Sequence, residues 1–213
     1  MYKNAIMQKC LSLLLIIAFN HNAQKISNPA ALQSIKIIAF GKTDLDAGVL
    51  QQQLNKLSRV PVTISYENKL PATAWCEARN RYLADSLLVY LQQHKKMKGE
   101  YVLGFTAKDI SIGAGSSNWG IMGLGYCPGS VCIVSEYRLK HKNTGLLQRQ
   151  ERLLQLALHE LGHNFSLPHC PNVNCLMVAA KGKMTLDGHK YYCSKCSAVL
   201  TKKGILLLDR QRV

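Results

Sequence analysis

At 213 residues with 47% apolar side chains, the chain can bury one core without external staples, and no repeat or long charge block suggests disorder or a solenoid. The formal charge of +15 favours acidic surfaces and nonspecific contact with nucleic acid. No basic stripe interleaved with aromatics and no nucleic-acid motif accompanies it, so a specific nucleic-acid partner is not expected and the lysines read as a solvated face.

Lys3 and Lys9 flank the start of an apolar run over residues 11–19. The run is too short to span a bilayer and matches the hydrophobic region of a secretory signal peptide, with Ala23 as the cleavage point. Residues 1–23 are therefore expected to be a signal peptide. The mature chain, residues 24–213, is then exported (periplasmic or secreted) with a formal charge of +13 and no further membrane contact; an uncleaved anchor is the alternative.

Residues 24–34 read as a lead-in, and residues 35–40 as a buried strand closed by Gly41. Thr43 is positioned to cap a helix carrying Val49, Leu50, Leu54 and Leu57 on one side. Residues 60–66 alternate as a second strand, and residues 69–75 form a connection around Pro71. Leu83, Leu87, Leu88 and Leu91 give residues 81–95 a helical period, and residues 101–105 are a third strand. The glycine-rich residues 113–129 lack the Gly-Lys-Ser/Thr of a phosphate loop and read as a loop and hairpin leading into a strand at 131–135. A long helix follows at 146–164, with Leu153, Leu154, Ala157, Leu158 and Leu161 on its apolar face. The remainder is loop-rich, with one more helix expected between 194 and 208.

The chemistry is concentrated at the end of the long helix. His159 and His163, four residues apart, share one helix face and can reach one ion. His169 supplies a third nitrogen once the chain turns back. Three protein ligands with a position left open are the arrangement of a catalytic zinc, and Glu160 is placed to take a proton from a metal-bound water. Cys170 and Cys175, with the Cys193–Cys196 pair, are the ligand set of a closed, structural zinc; two disulfides are the alternative.

His159, Glu160, His163, His169, Cys170, Cys175, Met177, Cys193 and Cys196 together make this chain resemble the archaemetzincins, a family of the metzincin clan. The resemblance implies a zinc-dependent peptidase with two zinc ions per chain, one on the histidines and one on the cysteines, and Met177 in a turn beneath the active site. It implies an α+β fold: a metzincin-like mixed, mainly parallel sheet, the active-site helix, and a zinc-organised C-terminal subdomain. Residues 24–213 would be this one archaemetzincin-like domain, a monomer acting on peptide or protein substrates. Weaker matches lie upstream at Arg79, Arg81 and Tyr82, at Thr106 and Asp109, and at Ser135, Arg138 and Leu139. In metzincins an antiparallel edge strand forms the upper rim of the cleft, which by resemblance points to residues around Cys127 to Ser135. Tyr191 or Tyr192 would be the oxyanion donor by the same analogy. The chain departs from the family at Ser166, where the family carries glycine, and in a slightly shorter spacer between Met177 and Cys193.

Cys127 and Cys132 bracket a Pro-Gly-Ser turn and could close a small disulfide or stand as free strand thiols, while Cys76 is expected to be buried. The rival to a peptidase is a non-catalytic zinc protein that binds a peptide or partner through the same cleft; an intact Glu160 argues against it. A basic, zinc-ordered module docking on an anionic surface is the second rival.

Overall fold

The computed structural model describes residues 33–113, 119–140, 143–188 and 191–202. The expected signal peptide, the lead-in before residue 33 and the end of the last helix lie outside them.

The main sheet contains β1 (Ser34–Phe40), β2 (Val62–Glu67), β5 (Glu100–Thr106), β8 (Gly123–Gly125) and β9 (Val131–Ser135) in the order β2-β1-β5-β9-β8. All neighbours are parallel except β8, which runs antiparallel to β9. Parallel strands covered on both faces need near-continuous apolar runs, and β1 shows why. Ile35, Ile37 and Ala39 face one core with α1 (Ala47–Leu57) and α3 (Leu146–Asn164), while Ile38 and Phe40 face a second core with α2 (Ala84–Gln93). A smaller sheet joins β3 (Trp75–Cys76), β4 (Arg81–Leu83), β6 (Ile110–Ser111) and β7 (Gly120–Ile121). The C-terminal segment with α4 (Ser194–Lys202) packs Tyr192, Cys196 and Leu200 into the α3 side of the core. The mixed, mainly parallel α+β sheet is the one expected.

Several local expectations need correction. Asp46, not Thr43, caps α1: its Oδ1 accepts from the Gly48 and Val49 amides at 2.7 and 3.3 Å, whereas the Thr43 hydroxyl donates to Leu45 O. The helix expected from residue 81 starts at Ala84, because Arg81–Leu83 is taken up by pairing with β3 and β6. Helix α3 has the expected bounds but is buried well beyond its leucine face: Arg152 and Gln155 are covered by the C-terminal segment, and Gln150 bonds Asp46 at the start of α1.

The rim strand is also misplaced in the sequence reading. Residues 131–135 are interior, fully buried and paired on both edges, so they offer no free ladder. Among the described residues, the sheet edge beside β9 belongs to Gly123–Gly125, and β2 forms the opposite edge. Cys127 and Cys132 are free thiols, because the partner across the hairpin from Cys132 is Gly125. Cys132 is buried, Cys127 is exposed, and Cys76 is half-buried rather than fully enclosed.

Candidate metal centres and active site

Helix α3 ends in a tight reverse cap that brings the third histidine home. The Ser166 amide donates to His163 O at 2.8 Å and the Leu167 amide to Gly162 O at 2.9 Å, the paired bonds of a left-handed C-terminal cap. Ser166 holds that left-handed position at φ 72°, where glycine would be unstrained. The turn folds residues 167–169 back along the helix. The imidazoles of His159, His163 and His169 then stand with ring centroids 4.8 to 5.4 Å apart and one ligand atom of each within 4.8 Å of the others.

Two of the rings are fixed in the tautomer that a metal needs. His159 Nδ1 lies 2.7 Å from Leu176 O and His163 Nδ1 lies 2.8 Å from Leu167 O. A carbonyl only accepts, so each Nδ1 carries the proton and each Nε2 lone pair is free. Burial lowers the pKa of His159 to about 4, against the raising effect of the Leu176 carbonyl, and burial lowers His163 also. Both rings are therefore neutral at physiological pH. Neutral, oriented imidazoles in a cluster of three suit zinc.

Glu160 is only 5% exposed, and burial raises its pKa to about 8. A cation bound on the neighbouring histidines opposes that shift. Its carboxylate lies under the free-edge strand: a methyl group on Gly123 would sit 2.7 Å from Glu160 Oε1.

The four cysteines also converge. Cys170 and Cys193 place their Sγ atoms 3.8 Å apart, as do Cys175 and Cys196. That is far beyond a disulfide bond and equals the edge of about 3.8 Å that a tetrahedron with zinc–sulfur bonds of about 2.3 Å would have. The Cys193 amide donates to Cys175 Sγ at 3.3 Å, as a thiolate acceptor invites. The Cys193 thiol is lowered to about 7, first by the Cys196 backbone amide, while burial raises Cys175; coordination to a metal deprotonates such thiols outright. The donor set fits a structural zinc.

A family model described as Peptidase family M54 matches residues 33–202. The archaemetzincin of Methanopyrus kandleri is 37% identical over 137 residues, covering 63% of this chain and 74% of that one. The chain belongs to the archaemetzincins. As an archaemetzincin it is a zinc metallopeptidase, acting on peptide or protein substrates. The archaemetzincin of Haloquadratum walsbyi is 28% identical over 177 residues, 78% of this chain and 98% of that one. The crystal structure of the Methanopyrus kandleri archaemetzincin matches with a TM-score of 0.68 at 26% identity, over 83% of this chain and 98% of that one. That of the Archaeoglobus fulgidus archaemetzincin, at 24% identity, shows the same fold with a TM-score of 0.67 over 78% and 99%.

In this archaemetzincin Met177 lies fully buried beneath the active-site helix, where a methyl on Gly162 would come 2.5 Å from its Sδ. Tyr192 is not a cleft residue: it is 2% exposed and its hydroxyl donates to Leu158 O at 2.7 Å. Tyr191 lends its carbonyl to the Leu176 amide at 2.9 Å.

Five of the upstream matches, Arg81, Thr106, Asp109, Ser135 and Arg138, meet in one polar cluster. Arg81 Nε donates to Asp109 Oδ2 at 2.6 Å, and Arg138 clamps the same carboxylate through Nε and Nη2 at 2.9 and 2.8 Å. Ser135 Oγ donates to Lys108 O at 2.6 Å, and Thr106 Oγ1 accepts from the Lys108 amide at 3.2 Å. The cluster ties the small sheet to the ends of β5 and β9.

Sequence reasoning missed several residues that shape the cleft. Asn164 donates to Tyr126 O and Val131 O at 2.9 and 2.8 Å, pinning the β8–β9 turn to the helix end. Arg152 holds Asp187 through two nitrogens at 2.7 and 2.9 Å. Gly123 and Gly125 carry a faint signal, two glycines at strand spacing around one leucine.

Proposed function

We propose that this archaemetzincin hydrolyses peptide bonds at a zinc held by His159, His163 and His169, with Glu160 as general base. A second, structural zinc is held by Cys170, Cys175, Cys193 and Cys196, giving two zinc ions per chain. The observation that supports the reading best is the convergence of three imidazoles, two of them oriented by backbone carbonyls, beside a buried carboxylate that leads on from the first of them. Zinc in the histidine site supplies Lewis acidity, lowering the pKa of water toward neutrality and polarising a carbonyl.

The chain's own residues do the rest. The carbonyls of Leu176 and Leu167 hold two ligand rings in register. Glu160 accepts the proton from the attacking water and returns it to the departing amine nitrogen. The free edge of Gly123–Gly125 is the surface on which an extended peptide adds as a further strand. The protein acts as an exported monomer after loss of residues 1–23, with no specific nucleic-acid partner.

Glu160→Gln tests the mechanism, because it keeps shape and removes the basic carboxylate. Zinc content should be unchanged and turnover on a cleaved peptide should fall by roughly two to four orders of magnitude. Equal turnover by wild type and variant would falsify the general-base role. Metal-dependent peptide binding without cleavage by either protein would favour the binder.

A further inference from the structure

The free-edge strand has an unusual inner side. Successive strand residues point to opposite faces, and Leu124 turns toward the core beneath α2. Gly123 and Gly125 therefore face α3, and neither has a side chain to offer it. Their surroundings explain the absence. A methyl on Gly123 would lie 2.7 Å from Glu160 Oε1, 2.8 Å from its Cγ and 2.9 Å from its Cδ, all atoms of one side chain. A methyl on Gly125 would lie 2.9 Å from Glu160 O and 3.2 Å from Cys132 Cβ, and only at an ordinary contact of 3.4 Å from Glu160 Oε2, so its close encounters are with backbone and a buried wall. Contacts below 3.0 Å are not tolerated, so one partner in each pair would have to move.

We propose that Gly123 is a positioning residue of the hydrolytic reaction: its bare Cα forms a ceiling that fixes the Glu160 carboxylate, while Gly125 lets the strand lie flush on helix α3. This rests on Glu160 being the general base. The ceiling matters because the carboxylate has few ways to settle. It is enclosed on α3, and among the hydrogen bonds described for the site none anchors its oxygens. Packing against the strand backbone is then what limits its rotamers.

The two contacts give a test that separates Gly123 from Gly125. With Gly123→Ala, the full-length mature protein should keep its zinc content and a KM within about twofold, while kcat falls by roughly 10- to 100-fold, the effect of an ångström-scale misplacement. Thermal denaturation supplies a readout independent of turnover. Gly123→Ala should lower the melting temperature in the wild-type background and lower it far less in a Glu160→Ala background, where the new methyl takes the space the carboxylate leaves. Gly125→Ala should lower it equally in both, since the backbone it meets remains.

Full turnover by Glu160→Gln overturns the general-base reading and this role with it. An inactive Glu160→Gln beside a Gly123→Ala with wild-type kcat overturns the positioning role alone. Equal melting losses for Gly123→Ala in both backgrounds also overturn it. Should Gly123→Ala fail to fold, recovery of folding by Glu160→Ala supports the role and no recovery refutes it.

Discussion

On backbone grounds Ser166→Gly should stabilise this protein. Ser166 sits at φ 72°, at the residue that reverses the chain after the active-site helix. An L-residue in the left-handed region is disfavoured by about 1–2 kcal/mol, through the approach of Cβ to the following carbonyl. Glycine removes that penalty but loses more backbone entropy on folding, about 0.5–1 kcal/mol. The net expectation is a gain of about 0.5–1 kcal/mol, or about 1–4 °C in melting temperature for a domain of this size. Both cap bonds, to His163 O and Gly162 O, are made by main-chain amides and survive the change. Zinc affinity at the histidine site should therefore stay the same. Calorimetry on Ser166→Gly, Ser166→Ala and Ser166→Val gives the series: glycine above alanine, and valine lowest because β-branching suits this region worst. A glycine variant that melts below the alanine variant would refute the reasoning, since it would show that the turn is held by its side chain rather than opposed by its backbone.

Metal analysis of the mature protein should give two zinc ions per chain, and His169→Ala should lose the one on the histidines while the fold persists; one zinc in the wild type, with the four cysteines oxidised, would remove the second site. Cys193→Ser should damage stability more than His169→Ala, which differential calorimetry would read directly. Asp109→Asn removes the carboxylate shared by Arg81 and Arg138 in a largely buried cluster, and should destabilise by about 2–4 kcal/mol in urea unfolding while leaving both metals in place. The raised pKa of Glu160, about 8 in the folded chain against 4.5, means that the folded state holds the proton longer. In a His169→Ala background, stability relative to the matching Glu160→Gln protein should therefore fall as pH rises from 4.5 to 8, and a flat difference would contradict the burial assigned to that carboxylate.

The candidate metal ligands were legible because their spacing is local: four residues put two imidazoles on one face of α3, and sulfur beside histidine suggests its chemistry by residue type. Strands β1, β2, β5 and β9 and the main helices were legible from local apolar patterns for the same reason. What escaped depends on tertiary approach. The competition between Thr43 and Asp46 for the α1 cap turned on the Thr43 hydroxyl finding Leu45 O instead. The family resemblance points to a rim around Cys127 to Ser135, yet its strand, Val131–Ser135, is wholly buried with two partners and cannot be a rim. Gly123 and Gly125 read only as loop glycines until Glu160 is seen beneath them. Arg81, Asp109, Ser135 and Arg138 were noted separately, and only the fold brings the two arginines onto one carboxylate.

The histidine and cysteine clusters, the two candidate metal centres, share one wall, and this orders their roles. His169 and Cys170 are consecutive, so a single peptide links a ligand of each set. The Cys170 amide is held by Met177 O at 2.8 Å, and the Leu176 amide by Tyr191 O at 2.9 Å. Leu176 in turn presents its carbonyl to His159 Nδ1. The segment that closes the thiolate cluster thus also carries the carbonyl that orients the first histidine and the peptide that delivers the third. The reverse dependence is weaker: His159 and His163 stand on a helix packed along its length against the sheet, and Leu167 O is positioned by the helix cap itself. Loss of the sulfur site should therefore loosen the histidine site, whereas an empty histidine site leaves the sulfur site intact. The cysteine cluster is the part of the active site that the helix cannot supply.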